Sequence, residues 1–319
     1  MGPRNLLIIH HGALGDLVVT FPIIIRLKKK YDQIDILCQI KLGELAQSLH
    51  VVDTHFPLES ALFASLFTDA VDPMVKHILC SYQEVLLFSN SVQLKSVIGD
   101  TTGKPVYRVQ PRPEATSNTH ITDHILAQLA LYRRFVCIDT TSHSILSSGA
   151  HLDRRSVQYD PLKIVLHPGS GSLKKCWPVA NFIRLASFLR SKGKEAVFVL
   201  GPAEHALIAV LKQHGEQESN IYKTDNLIEL ANILKTSGGF VGNDSGVSHL
   251  SAFLGLPTVV VFGPSNPLIW RPTGRSVRTV QSHIDCHPCF DANNNRCEAL
   301  ACFDRITPEI VLDTLMRMI

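Results

Sequence analysis

Hydrophobic positions along this chain fall into short apolar runs separated by longer segments with helical periodicity. The runs are compact and rich in β-branched residues, as expected for strands that a parallel sheet buries on both faces. The predicted strands are NLLIIH (5–10), IDILCQ (34–39), EVLLFS (84–89), KIVLHP (163–168), EAVFVLG (195–201), GGFVGND (238–244) and TVVVFGP (258–264).

Amphipathic patterns lie between and after these runs, and they predict helices. They are GDLVVTFPIIIRLKKKY (15–31), NFIRLASFLRSKG (181–193), AEHALIAVLKQHG (203–215), NLIELANILKTSG (226–238) and ITPEIVLDTLMRMI (306–319). Alternation of strands and helices indicates an α/β protein with a parallel sheet in each half. The Ser-rich stretch 140–162 lacks periodicity and is typical of a linker. We therefore predict two domains, 1–150 and 151–305, followed by a final helix at 306–319.

Composition supports two globular domains and argues against several functional classes. The chain has 319 residues, 45% of them hydrophobic and 18% charged, which is typical of a soluble enzyme. A net charge of +3, without a cluster of basic and aromatic residues, argues against a nucleic-acid partner. The first apolar run is short and is followed by two His and an Asp, so it predicts neither a signal peptide nor a membrane span. We expect a cytoplasmic protein.

Four loops with unusual residues follow predicted strands. In parallel sheets such loops lie at the ligand-binding edge, where glycines allow close approach and helix N-termini offer free N–H groups to anions. Taken singly, each is equally compatible with a plain turn. The loops are GALGD (12–16), HPGSGSLKKCW (167–177), GPAEH (201–205) and GNDSG (242–246).

Taken together, the motifs GALGDLVVTFP, HPGSGSLKKCWP, GPAE and DSGVSHLSAFLGLPTVVVFGPS resemble the lipopolysaccharide heptosyltransferases of glycosyltransferase family 9. They occur in the family's order between residues 12 and 265, which is most of the chain. The resemblance implies a GT-B fold, in which two Rossmann-like parallel-sheet domains face each other across a cleft. It places the acceptor in the N-terminal domain and the nucleotide-sugar donor in the C-terminal domain. It also implies that the final helix crosses back to the first domain.

The GNDSG loop carries the first set of donor residues that the resemblance implies. Asp244 would bind hydroxyls of the donor sugar, and Ser245 and Gly246 would bind the diphosphate through backbone amides at a helix N-terminus. An alternative for Asp244 is that it simply caps the helix. His249 lies one turn inside that helix, where it either faces the site or packs as a structural histidine.

The other two loops of the second half supply the remaining donor residues. The resemblance assigns Lys175 to the phosphates, Ser170 and Gly171 to hydroxyl and amide contacts with phosphate, and Glu204 to the ribose hydroxyls. Lysine is usually a surface residue, and a Glu in a first helical turn is favourable in its own right, so both have structural alternatives. Because no DxD-like metal motif is present, we expect metal-independent chemistry with no cofactor, in which lysine and helix dipoles stabilise the departing diphosphate.

Asp16 is the candidate catalytic base. Inverting glycosyl transfer needs a base to take the acceptor hydroxyl proton, and the family's proposed base is the Asp of its GD motif. The alternative is a helix N-terminal carboxylate, stabilised by the helix dipole. Before this motif, relatives often place a basic or Ser residue where this chain has His10, His11 and Gly12.

Four cysteines cluster near the C-terminus, in CHPCFDANNNRCEALAC. A CxxC pair followed by two further cysteines is compatible with a structural zinc site. The spacing of the second pair differs from that of paired zinc knuckles, so thiols or disulfides that hold the loop are the favoured interpretation. The cysteines are Cys286, Cys289, Cys297 and Cys302.

The leading functional hypothesis is an inverting heptosyltransferase. It would move heptose from ADP-L-glycero-β-D-manno-heptose to Kdo or heptose in the lipopolysaccharide inner core, a lipid-linked saccharide at the inner face of the cytoplasmic membrane. One alternative is a transferase of the same fold with another nucleotide sugar or a protein hydroxyl acceptor. Another is a nucleotide-sugar-binding protein without catalysis.

Overall fold

The chain folds into two compact units, each built on one parallel sheet. The computed structural model describes residues 3–68, 70–114, 117–135, 158–282, 289–290 and 301–319. Unit 1 comprises Met1–Pro113 and Ile121–Ala150, and unit 2 comprises Glu114–His120 and His151–Ile319. Most of the predicted linker lies outside the described residues, and its last residues already belong to a strand. Each unit is described by itself below.

Unit 1 contains a five-stranded sheet flanked by helices. Its strands are β1 (Asn5–His10), β2 (Gln33–Cys38), β3 (Thr54–Pro57), β4 (Glu84–Phe88) and β5 (Val106–Val109). Its described α-helices are α1 (Leu14–Val18), α2 (Phe21–Leu27), α3 (Ile40–Ser48), α4 (Ala61–Ala64), α5 (Pro73–Cys80), α6 (Val92–Thr102) and α7 (Ile121–Ala130).

The strand order of unit 1 places β1 at the turning point of the sheet. The order is β3-β2-β1-β4-β5, and neighbouring strands are parallel. Strands β2 and β3 therefore extend the sheet on one side of β1, and β4 and β5 extend it on the other side. In such sheets the ligand-binding crevice opens at the carboxyl ends of the two strands where the direction reverses. The loop after β1, which leads to Asp16, lies there.

The long helix predicted at 15–31 is two helices in the structure, α1 and α2. Thr20 precedes α2, and Pro22 occupies its first turn. Proline has no N–H to donate to a carbonyl four residues earlier, and its ring clashes with that carbonyl inside a helix. A continuous helix through Pro22 is therefore unfavourable, whereas proline is well tolerated where a new helix begins.

Two strands of unit 1 were not predicted, and both lie at the edges of the sheet. β3 and β5 have four residues each, and most of their side chains are only partly buried. Such strands lack the continuous apolar run that marks a central strand. β3 ends on Pro57, which is tolerated at an edge because no further strand needs its N–H.

Unit 2 contains a six-stranded parallel sheet in the order β11-β10-β9-β6-β7-β8. Its strands are β6 (Asp160–His167), β7 (Glu195–Leu200), β8 (Ile221–Lys223), β9 (Ser237–Asn243), β10 (Thr258–Phe262) and β11 (Val277–Gln281). Its described helices are α8 (Val179–Ser191), α9 (His205–Gln213), α10 (Leu227–Lys235), α11 (Gly246–Phe253), α12 (Pro267–Trp270) and α13 (Pro308–Met316). The edge strands β8 and β11 were again not predicted.

The C-terminal helix α13 packs within unit 2. Its buried residues Val311, Leu312 and Leu315 belong to the main apolar core of that unit. Just before it, the carbonyl of Ile306 accepts a hydrogen bond from Nε1 of the buried Trp177 at 3.0 Å. The predicted crossing of this helix to the first domain stays a prediction. Within the described part of the chain, every helix is too short or too polar to span a bilayer.

A short segment between β5 and α7 groups with unit 2, although unit 1 flanks it on both sides. Asn266 Nδ2 donates to Asn118 Oδ1 at 3.0 Å, and His120 Nε2 donates to the carbonyl of Arg271 at 2.9 Å. Asn118 and His120 thus bond to residues of unit 2 before the chain returns to unit 1.

Strand β1 ends on a buried histidine. His10 is 1% exposed, its ring packs on that of Phe88 with 5.3 Å between the centroids, and its Nδ1 accepts a hydrogen bond from Gly12 N at 3.1 Å. Burial lowers the pKa of His10 to about 4, although the nearby charge of Asp16 acts in the opposite direction. The folded protein therefore holds a neutral imidazole with its proton on Nε2.

The start of β9 comes very close to β6. The pairing register between these strands shifts after Asp160, and Gly238 lies in the shifted stretch. A Cβ atom on Gly238 would lie 2.5 Å from the carbonyl oxygen of Pro161, a backbone atom that cannot move independently. Gly99 in α6 differs, because its nearest neighbour would be 3.9 Å away, on the Val106 side chain.

We predict that Gly238→Ala lowers the free energy of unfolding of unit 2 by about 1–3 kcal/mol, the usual cost of overpacking. Both tryptophans, Trp177 and Trp270, lie in unit 2, so their fluorescence during chemical denaturation measures this change. The matched control, Gly99→Ala, removes a helical glycine with open space around it. It should stabilise unit 1 by about 0.5–1 kcal/mol, measured by circular dichroism. A neutral Gly238→Ala variant would contradict the close approach.

We also predict that His10 makes stability depend on pH. Its pKa is lower in the folded state than in the unfolded chain, so the unfolded chain binds the proton first as pH falls. The His10 contribution is full above pH about 6.5 and is lost between about 6.5 and about 4, on the order of 3 kcal/mol in total. Denaturation across this range should show a shallower pH dependence for His10→Gln than for wild type. The exposed His77→Gln should retain the wild-type dependence, and equal slopes for all three proteins would disprove the assignment.

Candidate functional site

Unit 2 places two of the predicted site loops side by side. Strands β6 and β9 are neighbours and pair in parallel from Ile164 with Gly239 to His167 with Gly242. The loops that follow them therefore leave the sheet at the same edge. The strand order also reverses between these two strands, which is the position at which open α/β sheets bind ligands.

Asp244 directly follows β9 at this edge and is only 6% exposed. Its Oδ2 accepts hydrogen bonds from Lys175 Nζ at 2.8 Å and from Ser265 Oγ at 2.6 Å. Its backbone carbonyl accepts a further bond from Ser170 Oγ at 2.6 Å. Among the described residues no donor contacts Oδ1. Both described side-chain donors to the carboxylate therefore bind the same oxygen, Oδ2.

The cap of the following helix is a different residue. Ser245 is the N-cap of α11, and its side chain accepts a hydrogen bond from Ser248 N at 3.4 Å. The alternative in which Asp244 caps this helix is therefore wrong. The first-turn N–H groups of Gly246 and Val247 have no acceptor within the helix, and they carry the positive end of its dipole. This end of α11 can bind an anion.

Lys175 is held rather than free at the surface. It ends a short 3₁₀ helix, and its side chain is 19% exposed. Besides its bond to Asp244, its Nζ lies 4.3 Å from the centroid of the Phe290 ring. The surface-lysine alternative does not fit this environment. Phe290 and Ser265 were both missed as site residues. Ser265 is the last residue of a motif that carries the resemblance, and Phe290 follows the CxxC pair, but neither was given a role.

Asn243, which was also missed, connects the two loops. This residue is fully buried, and its Nδ2 donates to the carbonyl of Pro168 at 2.8 Å. Its Oδ1 accepts from Trp177 N at 2.9 Å. One amide thus fastens both ends of the loop that carries Lys175. Its position directly before Asp244 at a strand end was the available signal.

Ser170 and Gly171 lie in that loop, but their surroundings differ. The Ser170 hydroxyl donates to the carbonyl of Asp244, so its proton is used in holding the two loops together. Gly171 is exposed, and a Cβ there would have no neighbour within 4 Å. Their contacts with phosphate stay predictions.

Glu204 belongs to the same edge, after β7. Its Oε2 accepts from Gly201 N at 2.9 Å, and a Cβ on Gly169 would lie 2.1 Å from its Oε1. A side chain at position 169 would therefore displace this carboxylate from its place beside the loop. Buried His167 is close by, and burial lowers its pKa although the Val199 carbonyl and the Glu204 charge oppose the shift. The structure thus supports the helix first-turn role of Glu204 and leaves its contact with ribose as a prediction.

His249 lies on the buried face of α11 and is 7% exposed. Its backbone N–H donates to the carbonyl of Ser245 at 3.3 Å, as in an ordinary helical turn. Burial of this kind agrees with the structural alternative, and its predicted role in ligand binding is not tested.

Asp16 lies in unit 1, in the short helix α1. Its Oδ2 accepts from Ala13 N at 3.1 Å, which is the helix N-terminal role that the sequence analysis gave as an alternative. The side chain is 16% exposed, so solvent and a ligand can still reach it. A Cβ on Gly12 would lie 2.5 Å from the Asp16 Cβ, so glycine is needed for this tight loop.

Arg112 is a further partner of Asp16 that the sequence analysis missed. Its Nη2 lies 3.2 Å from Oδ2 and 3.5 Å from Oδ1 of Asp16, and the arginine side chain is 64% exposed. Such an exposed pair stabilises the fold by little, roughly 0–1 kcal/mol. Its geometric effect is to hold the carboxylate from the loop after β5. Nothing in the sequence between β5 and α7 indicated this contact.

The cysteine cluster falls largely outside the described residues. Cys286 and Cys297 are not described, so neither the zinc interpretation nor the disulfide interpretation is tested. Within the ranges that the structure describes, no group of three or more His, Cys, Asp or Glu side chains is arranged to hold a metal ion.

Comparison with known proteins identifies the relatives of this chain. The profile of glycosyltransferase family 9 (heptosyltransferase) matches residues 121–299. Lipopolysaccharide heptosyltransferase 1 of Pseudomonas aeruginosa is 28% identical over 175 residues. That alignment covers 50% of this chain and 48% of the relative, so the match spans about half of each.

Solved structures resemble the fold over nearly its whole length. ADP-heptose lipopolysaccharide heptosyltransferase II of Escherichia coli has a TM-score of 0.71 at 18% identity, covering 99% of this chain and 98% of the other. The E. coli heptosyltransferase WaaC, solved with ADP-2-deoxy-2-fluoro heptose, has a TM-score of 0.68 at 15% identity, covering 98% and 99%. These likenesses confirm the predicted fold class, a GT-B fold with two Rossmann-like parallel-sheet domains.

The profile match covers more than half of the chain, and it includes the loops of Lys175, Glu204 and Asp244. The protein therefore belongs to glycosyltransferase family 9, the heptosyltransferase family.

Proposed function

We propose that this protein is an inverting glycosyltransferase. It would move heptose from ADP-L-glycero-β-D-manno-heptose to the inner core of lipopolysaccharide, with Kdo or heptose as the acceptor. The observation that carries the proposal is the Asp244 carboxylate, which is buried and compensated by Lys175 and Ser265 while Oδ1 has no described donor. The resemblance to heptosyltransferases, one of them solved with an ADP-heptose analogue, supports the choice of donor.

The donor sugar would be bound by Asp244. A carboxylate oxygen accepts hydrogen bonds well from sugar hydroxyls, and such charge-assisted bonds are stronger than neutral ones. Oδ1 is suited to this role because Lys175 and Ser265 both bind Oδ2. They fix the orientation of the carboxylate before any ligand arrives.

The diphosphate would lie between Lys175 and the N-terminus of α11. The N–H groups of Ser245 and Gly246, the amide of Gly171 and the hydroxyl oxygen of Ser170 would complete its surroundings. During transfer, negative charge develops on the departing ADP, and a fixed ammonium and a helix dipole stabilise it without needing to reorganise. Glu204 would accept the ribose hydroxyls, and we assign His249 to the support of α11 beneath the site.

Asp16 would act as the catalytic base. It takes the proton of the acceptor hydroxyl as that oxygen attacks the anomeric carbon, while the bond from this carbon to the ADP oxygen breaks. Attack from the face opposite the leaving group inverts the configuration. Arg112 and the Ala13 amide hold the carboxylate in place for this step.

The acceptor and the place of action follow from the same proposal. A lipid-linked inner-core saccharide would be presented at the inner face of the cytoplasmic membrane, where the protein would act as a peripheral enzyme.

We predict selective binding of ADP over UDP and GDP by isothermal titration calorimetry. ADP-heptose should bind more tightly than ADP to wild type, and Asp244→Asn should lose this difference because the amide replaces a charged acceptor. The control variant Asp313→Asn, on an exposed position of α13, should behave like wild type. A preference for UDP or GDP would assign the protein to a different donor.

We predict that Asp16→Asn lowers turnover of ADP-heptose by about 10²- to 10⁴-fold, the usual contribution of a general base, while the dissociation constant of the donor stays unchanged. Asp123 is the matched control, because it is another first-turn carboxylate in unit 1. Asp123→Asn should retain turnover. If Asp16→Asn also retains turnover, Asp16 is only a helix N-terminal residue.

A further inference from the structure

One aromatic residue that the sequence analysis did not assign to the candidate donor site contacts its lysine. Phe290 is partly buried, and the centroid of its ring is 4.3 Å from Lys175 Nζ. Its backbone N–H donates to the carbonyl of Pro264 at 3.1 Å. Pro264 directly precedes Ser265, whose hydroxyl binds Asp244. Pro264 and Ser265, in the turn after β10, therefore bind Phe290 and Asp244, the two residues that contact the Lys175 ammonium.

This arrangement restricts a group that is normally mobile. A lysine ammonium is a point charge on a four-carbon stem with three donors that rotate freely. Here Asp244 Oδ2 fixes one direction at 2.8 Å, and the aromatic face lies against another. Among the described residues, no further hydrogen-bond partner of Nζ is present beside these two contacts. The two contacts therefore determine where an incoming anion meets the positive charge.

The contact of Lys175 with the Phe290 ring involves an uncharged partner, which matters for a site that binds an anion. A second carboxylate beside Lys175 would fix the ammonium equally well, but it would add a negative charge and repel phosphate. An aromatic face attracts the cation through its quadrupole and adds no net charge. The ring therefore holds the ammonium without placing a second negative charge beside the N-terminus of α11.

We propose that Phe290 is a positioning residue that fixes the Lys175 ammonium against the diphosphate of the bound nucleotide. The inference rests on the proposed role of Lys175 as the phosphate ligand. Phe290 does not touch the reacting atoms and acts through the lysine. Its effect should therefore appear in the binding of any ligand that carries a diphosphate, and it should be absent for ligands without phosphate.

The test compares dissociation constants measured by calorimetry for ADP, inorganic pyrophosphate and adenosine. Phe290→Leu should weaken ADP and pyrophosphate by about three- to tenfold, in the range of a cation–π contact, and leave adenosine unchanged. Phe290→Tyr, which keeps the aromatic face, should restore binding to within about twofold of wild type. Tyr222→Leu is the matched control, because the Tyr222 ring has Lys163 Nζ at 4.6 Å outside the site. It should leave all three ligands unaffected.

A double-variant comparison separates positioning from a general packing role. In a Lys175→Met background no ammonium is left to position, so adding Phe290→Leu should cause no further loss of ADP affinity. Equal additional loss in that background would overturn the proposal, as would unchanged pyrophosphate binding in Phe290→Leu. Melting temperatures identify any variant that fails to fold. If Phe290→Leu fails to fold, Phe290→Tyr is compared with Phe290→Met instead.

These outcomes can be told apart from failure of the proposed function. If wild type prefers UDP or GDP to ADP, the donor assignment fails, and the same Phe290 variants are measured with the preferred nucleotide. If ADP-heptose is bound and turned over normally while Phe290→Leu matches wild type for every ligand, only the positioning role fails.

Discussion

Compensation of the Asp244 carboxylate is the interaction on which the candidate donor site depends. A buried charge is costly unless it is paired and hydrogen-bonded. Lys175 and Ser265 provide both, and they come from loops after two different strands, β6 and β10. Their common partner draws these loops to one point at the edge of the sheet. Removing either partner would therefore leave a buried group uncompensated as well as loosening a loop.

The sheet topology makes this convergence possible. The carboxyl ends of parallel strands lie at one edge, and the strand order reverses between β6 and β9, so the loops after these two strands leave the sheet side by side. The fully buried side chain of Asn243 secures the loop from below. Gly169 leaves room for the Glu204 carboxylate to lie against its backbone. The same logic operates in unit 1, where Gly12 allows Asp16 to approach the end of β1.

Sequence patterns predicted the central strands well, because burial on both faces produces continuous apolar runs. They failed where a strand is short and half exposed, as for β3 and β8, and where Pro22 restarts a helix inside an apolar stretch. At the site, resemblance pointed to Asp244 and Lys175. The partners Phe290 and Arg112 could not be found in this way, because their contacts join positions far apart in the chain. A contact of that kind leaves no local pattern in residue spacing.

The segment 114–120 has a consequence for any attempt to separate the two units. Asn118 and His120 form hydrogen bonds with Asn266 and Arg271 of unit 2, yet the segment precedes helix α7 of unit 1 in the chain. Dividing the chain near residue 150 therefore does not separate unit 1 from unit 2. A C-terminal fragment starting there would lack a piece of its own surface, and an N-terminal fragment would display that piece without its partner.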